Sequence, residues 1–143
     1  MEEIKRLQKH LYLIRSCAGW TAETLGKKLG VSRQTISSFE KEGNELTIIQ
    51  YLAIRKLFED EIAASPDDTE MLSQVIEMLV DHPENYTQEE RSAVINNAML
   101  MAPSILKKPS ERKTISVAWK AILAASGVVA SLALIAFLMK KDS

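Results

Sequence analysis

Three helix starts crowd into the stretch from Thr21 to Thr47, and that crowding restricts what this chain can fold into more than any other feature. Each start has a capping hydroxyl and an apolar pair around it. Thr21 lies between Trp20 and Leu25, Ser32 between Val31 and Ile36, and Thr47 between Leu46 and Tyr51. An apolar residue just before a cap packs on one in the first turn and fixes the angle at which the chain enters the helix. Gln50 completes a capping box with Thr47. The spacing predicts short helices at about 21–29, 32–41 and 47–61. Only Gly30-Val31 joins the first two. A link that short cannot let them lie antiparallel side by side; it forces a steep crossing.

The rest of the chain is also helical in pattern. Ile4, Leu7, Leu11, Ile14 and Ala18 recur at steps of three and four over residues 2–18, one apolar stripe. Residues 65–69, SPDDT, interrupt the pattern. A second stripe follows in Met71, Leu72, Val75, Ile76, Leu79 and Val80, and His82-Pro83 stops it. Thr87 and Glu90 form another capping box, opening a helix with Val94, Ile95, Ala98 and Met99 inward and Pro103 as its expected end. Residues 104–118 read as a basic linker. No strand pattern appears, so the expected class is all-α.

Charge divides the chain into three parts. Residues 1–62 carry 10 basic and 9 acidic groups, residues 63–106 carry 1 and 8, and residues 107–143 carry 7 and 2. The whole is nearly neutral, so bulk basicity does not announce nucleic acid. The single cysteine, Cys17, excludes an intramolecular disulfide. It reads as a half-buried packing residue, and His10 and His82 as surface groups. One cysteine and two distant histidines make no zinc site of the usual kind, so no metal and no cofactor is expected. The charged start MEEIKRLQKH has no apolar core of a signal peptide. No nucleophile–base pair or carboxylate dyad stands in a recognisable context, so no enzymatic activity is expected.

The segment TAETLGKKLGVSRQTISSFEKEG carries the chemistry. Leu25, Leu29, Val31, Ile36 and Phe39 are spaced to pack two helices together. Gly26 is small where they approach, and Gly30 stands where the chain must turn. The second helix then opens on Ser32, Arg33, Gln34 and Thr35, polar groups at a helix N-terminus, where free N–H groups favour phosphate. Arg pairs with guanine and Gln with adenine in the major groove, each at about 1–3 kcal/mol of discrimination. Ser37 and Lys41 continue the same face.

Residues 11–57, with VSRQTIS as the most specific piece, resemble the Cro/repressor-type (XRE) helix-turn-helix family. The resemblance covers about a third of the chain. It implies that the helix at 32–41 is a recognition helix in the major groove of double-stranded DNA. By this reading Arg33, Gln34, Thr35 and Ser37 meet bases, and Ser32, Ser38, Lys41 and Asn44 meet phosphates. The family often pairs an Arg in the first helix with a Glu ending the recognition helix. Arg15 and Glu40 occupy those positions, which implies a structural ion pair. Two departures weaken the match. Ala22 stands where the family often has Gln, and Glu42 and Glu45 add acid to the loop after the recognition helix.

From Ala121 to Met139 no residue is charged. At 1.5 Å per residue that run is close to the ~30 Å hydrocarbon core of a bilayer. Trp119 and Lys120 flank one end, Lys140 and Lys141 the other, as interfacial residues do. The expectation is therefore a transmembrane helix at 119–139 contacting membrane lipid, with a short tail at 140–143. The basic residues before it keep the N-terminal domain in the cytoplasm. The complete expectation is a helix-turn-helix domain at 1–64, an acidic helical linker or dimerisation segment at 65–103, a basic juxtamembrane linker at 104–118, and the anchor. Its function would be a membrane-anchored transcription regulator, a repressor, with homodimerisation open because paired heads read half-sites. The rival is a membrane-anchored scaffold similar to the RodZ cytoskeletal anchors, gripping a membrane or cytoplasmic protein with the same domain.

Overall fold

The computed structural model describes residues 2–41 and 43–125. Helices α1 (Glu2–Lys9) and α2 (Leu11–Ala18) follow each other across an interruption at His10. The His10 N–H still donates to the Arg6 carbonyl at 3.2 Å, and the His10 carbonyl accepts from Ile14 at 2.9 Å. Backbone bonding therefore passes through the break. The expected stripe of Ile4, Leu7, Leu11, Ile14 and Ala18 is buried. In α2 every residue except Tyr12 is buried, so this helix has protein on nearly all sides. It ends at Gly19, whose φ of 82° is left-handed, and Trp20 N–H reaches back to the Arg15 carbonyl at 2.9 Å.

His10 is half-buried, not a surface group. Burial, and then the neighbouring Lys9 charge, push its pKa down from 6.5 to about 4. The folded chain keeps the ring neutral where the unfolded chain would protonate it. Its contribution is complete above pH 6.5 and is lost as the pH falls from 6.5 toward 4. Thermal melts at stepped pH should show a shallower acid-side fall in Tm for His10→Gln than for the unaltered chain. Equal slopes would mean that this ring is not the titrating group.

Helices α3 (Ala22–Leu29) and α4 (Arg33–Phe39) pack on each other across the tight link. Thr21 and Ser32 cap them, accepting from Thr24 N–H at 3.0 Å and Thr35 N–H at 3.1 Å. Gly30 turns with φ 78°, and Val31 N–H donates to the Gly26 carbonyl at 2.8 Å. A Cβ on Gly26 would stand 2.7 Å from the Val31 carbonyl oxygen. That neighbour is backbone and cannot rotate away. Gly26→Ala should therefore cost about 1–3 kcal/mol, read as a lowered urea midpoint.

Helix α5 (Ile48–Ala64) starts in the capping box of Thr47 and Gln50. It buries Tyr51, Ile54 and Phe58. Phe58 stacks on Trp20 with centroids 5.2 Å apart. A 3₁₀ turn at 66–68 leads to α6 (Glu70–Ile76), which widens into a π turn at 77–81. Helix α7 (Gln88–Lys107) opens on the Thr87–Glu90 capping box, and α8 (Arg112–Ala125) follows a 3₁₀ turn. Among the described residues there is no strand.

The second half packs within the chain. Helices α6 and α7 lie against α2, and α8 lies against α6 and α7. All six residues of the expected second stripe are buried. The acidic middle is matched by cations from both flanks. Arg55 on α5 makes a two-toothed bridge to Asp81 at 2.5 Å. Arg6 donates to the Val80 carbonyl at 2.8 Å. From the other flank Arg112 reaches Asp68 at 3.8 Å, while also meeting Glu61 of the first part at 2.7 Å and the Ala18 carbonyl at 3.1 Å. The three charge compartments are complements, not separate modules.

Three further expectations are corrected. Helix α7 does not end at Pro103 but runs through it to Lys107. Proline forfeits the bond to the carbonyl four residues back, but that carbonyl belongs to exposed Met99, and buried Ala102 and Ile105 hold both sides of the proline to the core. Met99 itself, expected inward, is 53% exposed. The third correction is larger. Trp119, expected at a membrane interface, is completely buried, as is Leu123 four residues on. The Trp119 Nε1–H donates to Gln74 Oε1 at 2.5 Å, and Lys120 bridges to Glu70 at 3.1 Å. The start of the expected span is thus docked on protein. Among the described residues no helix is long and apolar enough to cross a membrane. The expected single-pass membrane localisation is corrected with it. The remaining span, 126–139, and Lys140 and Lys141 lie outside the described residues.

Candidate nucleic-acid interface

Ile36 is the buried anchor of α4, with no exposure at all. Pinning that residue against α3 turns the rest of the helix outward. Arg33, Gln34 and Ser37 are exposed, and Thr35 is half-buried. The Ser32 hydroxyl accepts from the Thr35 N–H and stands 3.0 Å from the Thr35 hydroxyl. If the Thr35 hydroxyl donates in that pair, the Ser32 proton points outward, as a phosphate contact requires.

The far end of α4 is held by a bridge to α2. Arg15 donates from Nε to Glu40 Oε2 at 2.6 Å and from Nη2 to Oε1 at 3.2 Å. Its Nη1 donates to the Trp20 carbonyl at 3.2 Å. The two side chains are only 7% and 15% exposed, and the Arg15 guanidinium lies over the Tyr12 ring, 4.7 Å from its centroid. Arg15 spends its fork on protein groups, and the pair fixes the recognition helix against the core.

The loop after α4 has a second brace, which the sequence did not announce. The Gln8 amide on α1 donates to the Phe39 carbonyl at 2.8 Å and to the Asn44 carbonyl, and its oxygen accepts from Leu46 N–H at 3.0 Å. Its partners are backbone atoms more than thirty positions away, so no side-chain pattern could reveal it. Asn44 donates to the Ser38 carbonyl at 3.2 Å and to the Ser38 hydroxyl at 3.1 Å. Both amide protons are thereby used within the loop, and Ser38 is half-buried. Gly43 turns with φ 94°. These contacts frame an open groove of about 510 Å³ bordered by Lys5, Lys9 and exposed Lys41. Among the described residues no cluster of His, Cys, Asp or Glu is arranged to hold a metal. Cys17 is fully buried, and burial alone raises its pKa to about 12, so it is a packing thiol and not a thiolate.

Two short helices locked by a tight turn, the second with a polar outward face, define a helix-turn-helix DNA-binding regulator of the XRE type. The chain belongs to that family. The helix-turn-helix family model matches residues 18–64. The chain is similar to Antitoxin HipB of Escherichia coli (strain K12), 34% identical over an alignment of 71 residues that covers 46% of this chain and 81% of HipB. No solved structure matches the chain.

Proposed function

We propose that this protein is a sequence-specific transcription regulator, a repressor, that reads the major groove with α4. The observation that carries this reading is the exposed Arg33–Gln34–Ser37 face of α4, set on a helix anchored by Ile36 at one side and by Arg15–Glu40 at its end. Arg33, Gln34, Thr35 and Ser37 contact bases. Ser32 and Lys41 hold phosphates, while Ser38 and Asn44 shape the loop that presents Lys41. The chemistry required is binding alone, without a catalytic step.

Crosslinking and immunoprecipitation across the genome tests this, with the intact chain beside an Arg33→Ala/Gln34→Ala variant. Discrete sites that disappear in the variant are expected, since each side chain carries about 1–3 kcal/mol of base discrimination. A recovered site should then bind with a steep salt dependence, log K falling by about 0.9 per log unit of salt for each phosphate contacted. Sites retained unchanged in the variant would refute α4 as the reader.

A further inference from the structure

The groove beside the end of α4 has lysines on both walls. Lys5 and Lys9 stand on α1, and Lys41 stands just past α4 on the other side. All three are exposed. Lys5 and Lys9 are one helical turn apart, roughly 6 Å along the axis at 1.5 Å per residue, so they share a face of α1. Gln8 lies between them and spends its amide on the loop after α4, which holds the two walls together. Among the described residues Lys9 and Lys41 have no carboxylate within bridging distance, and Lys5 meets only Glu2, at 4.0 Å between exposed side chains. A pair that open is worth little in water. Glu40 also borders the groove, but Arg15 holds both of its carboxylate oxygens. Three cations therefore face one uncommitted acid of the lining, Glu45.

We infer, resting on the reading of α4 above, that Lys5 and Lys9 hold backbone phosphates of the same DNA, so that the interface runs from Lys41 across the groove onto α1. The segment that the family model matches, 18–64, does not include α1. The lining decides between a strand of DNA and a small free anion. Sites for small molecules are enclosed and mostly apolar, with a few polar groups to orient the ligand. This groove is open, and no aliphatic or aromatic residue lines it. An extended polyanion suits it, with successive phosphates meeting lysines set one turn apart. Each ammonium that meets a phosphate releases a counter-ion to solution. Contacts of this kind fix where the duplex lies and carry no base information. The two lysines therefore add affinity and register, and α4 keeps the sequence.

Fluorescence anisotropy of the full chain at stepped salt tests this, with a duplex carrying a recovered site beside a scrambled duplex of the same length. Lys5→Ala/Lys9→Ala should flatten the salt slope by about 1.8, two contacts at about 0.9 each, and weaken both duplexes by about 10- to 100-fold near 0.1 M salt. Lys5→Arg/Lys9→Arg should keep the slope, and the urea midpoint should not move in either variant, since the side chains are exposed. Ethylation of individual phosphates should map two positions that matter to the unaltered chain and not to the alanine variant. Arg33→Ala/Gln34→Ala should do the reverse, weakening the recovered site alone and leaving the slope. An unchanged slope in the alanine variant overturns the role of α1 and spares α4 as the reader. A flattened slope, with the recovered site still preferred by Arg33→Ala/Gln34→Ala, overturns the reader and spares α1. Binding to neither duplex overturns both. Inorganic phosphate titrated into the DNA-free chain gives the remaining arm. Saturable shifts of the Gln8 and Asn44 side-chain amide resonances that vanish in Lys5→Ala/Lys9→Ala would make the groove a site for a free anion and overturn its assignment to DNA.

Discussion

Replacing Arg15 by alanine should lower the stability of the chain by about 3–5 kcal/mol and abolish site-specific DNA binding, although Arg15 has been assigned no DNA contact. Removing one member of a buried ion pair leaves the other charge without its counter-ion, and that loss falls in this range. Here three hydrogen bonds disappear together, two to Glu40 and one to the Trp20 carbonyl. Glu40 is then stranded at the end of α4 with little exposure. The effect is read as a fall in the urea midpoint with an unchanged slope. Glu40→Gln, which keeps the shape and one acceptor, should lose less. A loss below about 1 kcal/mol would place this bridge among ordinary surface pairs and remove the argument that it holds the recognition helix.

Trp119→Ala should be comparably severe, at about 3–5 kcal/mol, the usual result of emptying a large aromatic site in a core. The indole is fully buried and its N–H is bonded to Gln74. Gln74 is itself 1% exposed, and its Nε2 has no partner, so losing the indole leaves both ends of a buried amide unsatisfied. Trp119→Phe, which keeps most of the packing and loses only the bond, should fall between the extremes. An unchanged urea transition for Trp119→Ala would mean that α8 does not belong to the core and would reopen the assignment of this helix.

The difference between these two sites shows what the sequence could express. The helix-turn-helix was legible because local rules determine it: hydroxyl caps, apolar pairs around them, and glycines at the turns. Its outward polar face followed from the same periodicity. The second half of α8 was misread because hydropathy cannot say which apolar surface covers a helix. Trp119 and Leu123 are buried, whereas Ala118, Ala121, Ala124 and Ala125 face outward. Alanine counts as apolar in a window average but costs little in water, so a one-sided helix looked apolar all round. The braces at Gln8 and Arg112 were invisible for another reason. Each joins segments far apart in the chain, and most of their partners are main-chain groups that carry no residue identity.

The family resemblance ends at residue 64, but α2 is covered from behind by α6 and α7. During synthesis this has a temporal consequence. When α5 has just been made, the face of α2 that receives α7 is still bare, and about 43 residues must be added before Lys107 arrives. At 5–20 residues per second this is roughly 2–9 s. The DNA-reading half is thus chemically complete before its support exists. A newborn chain spends those seconds with the underside of its reading head open to chaperones, or to other unfinished chains on the same message.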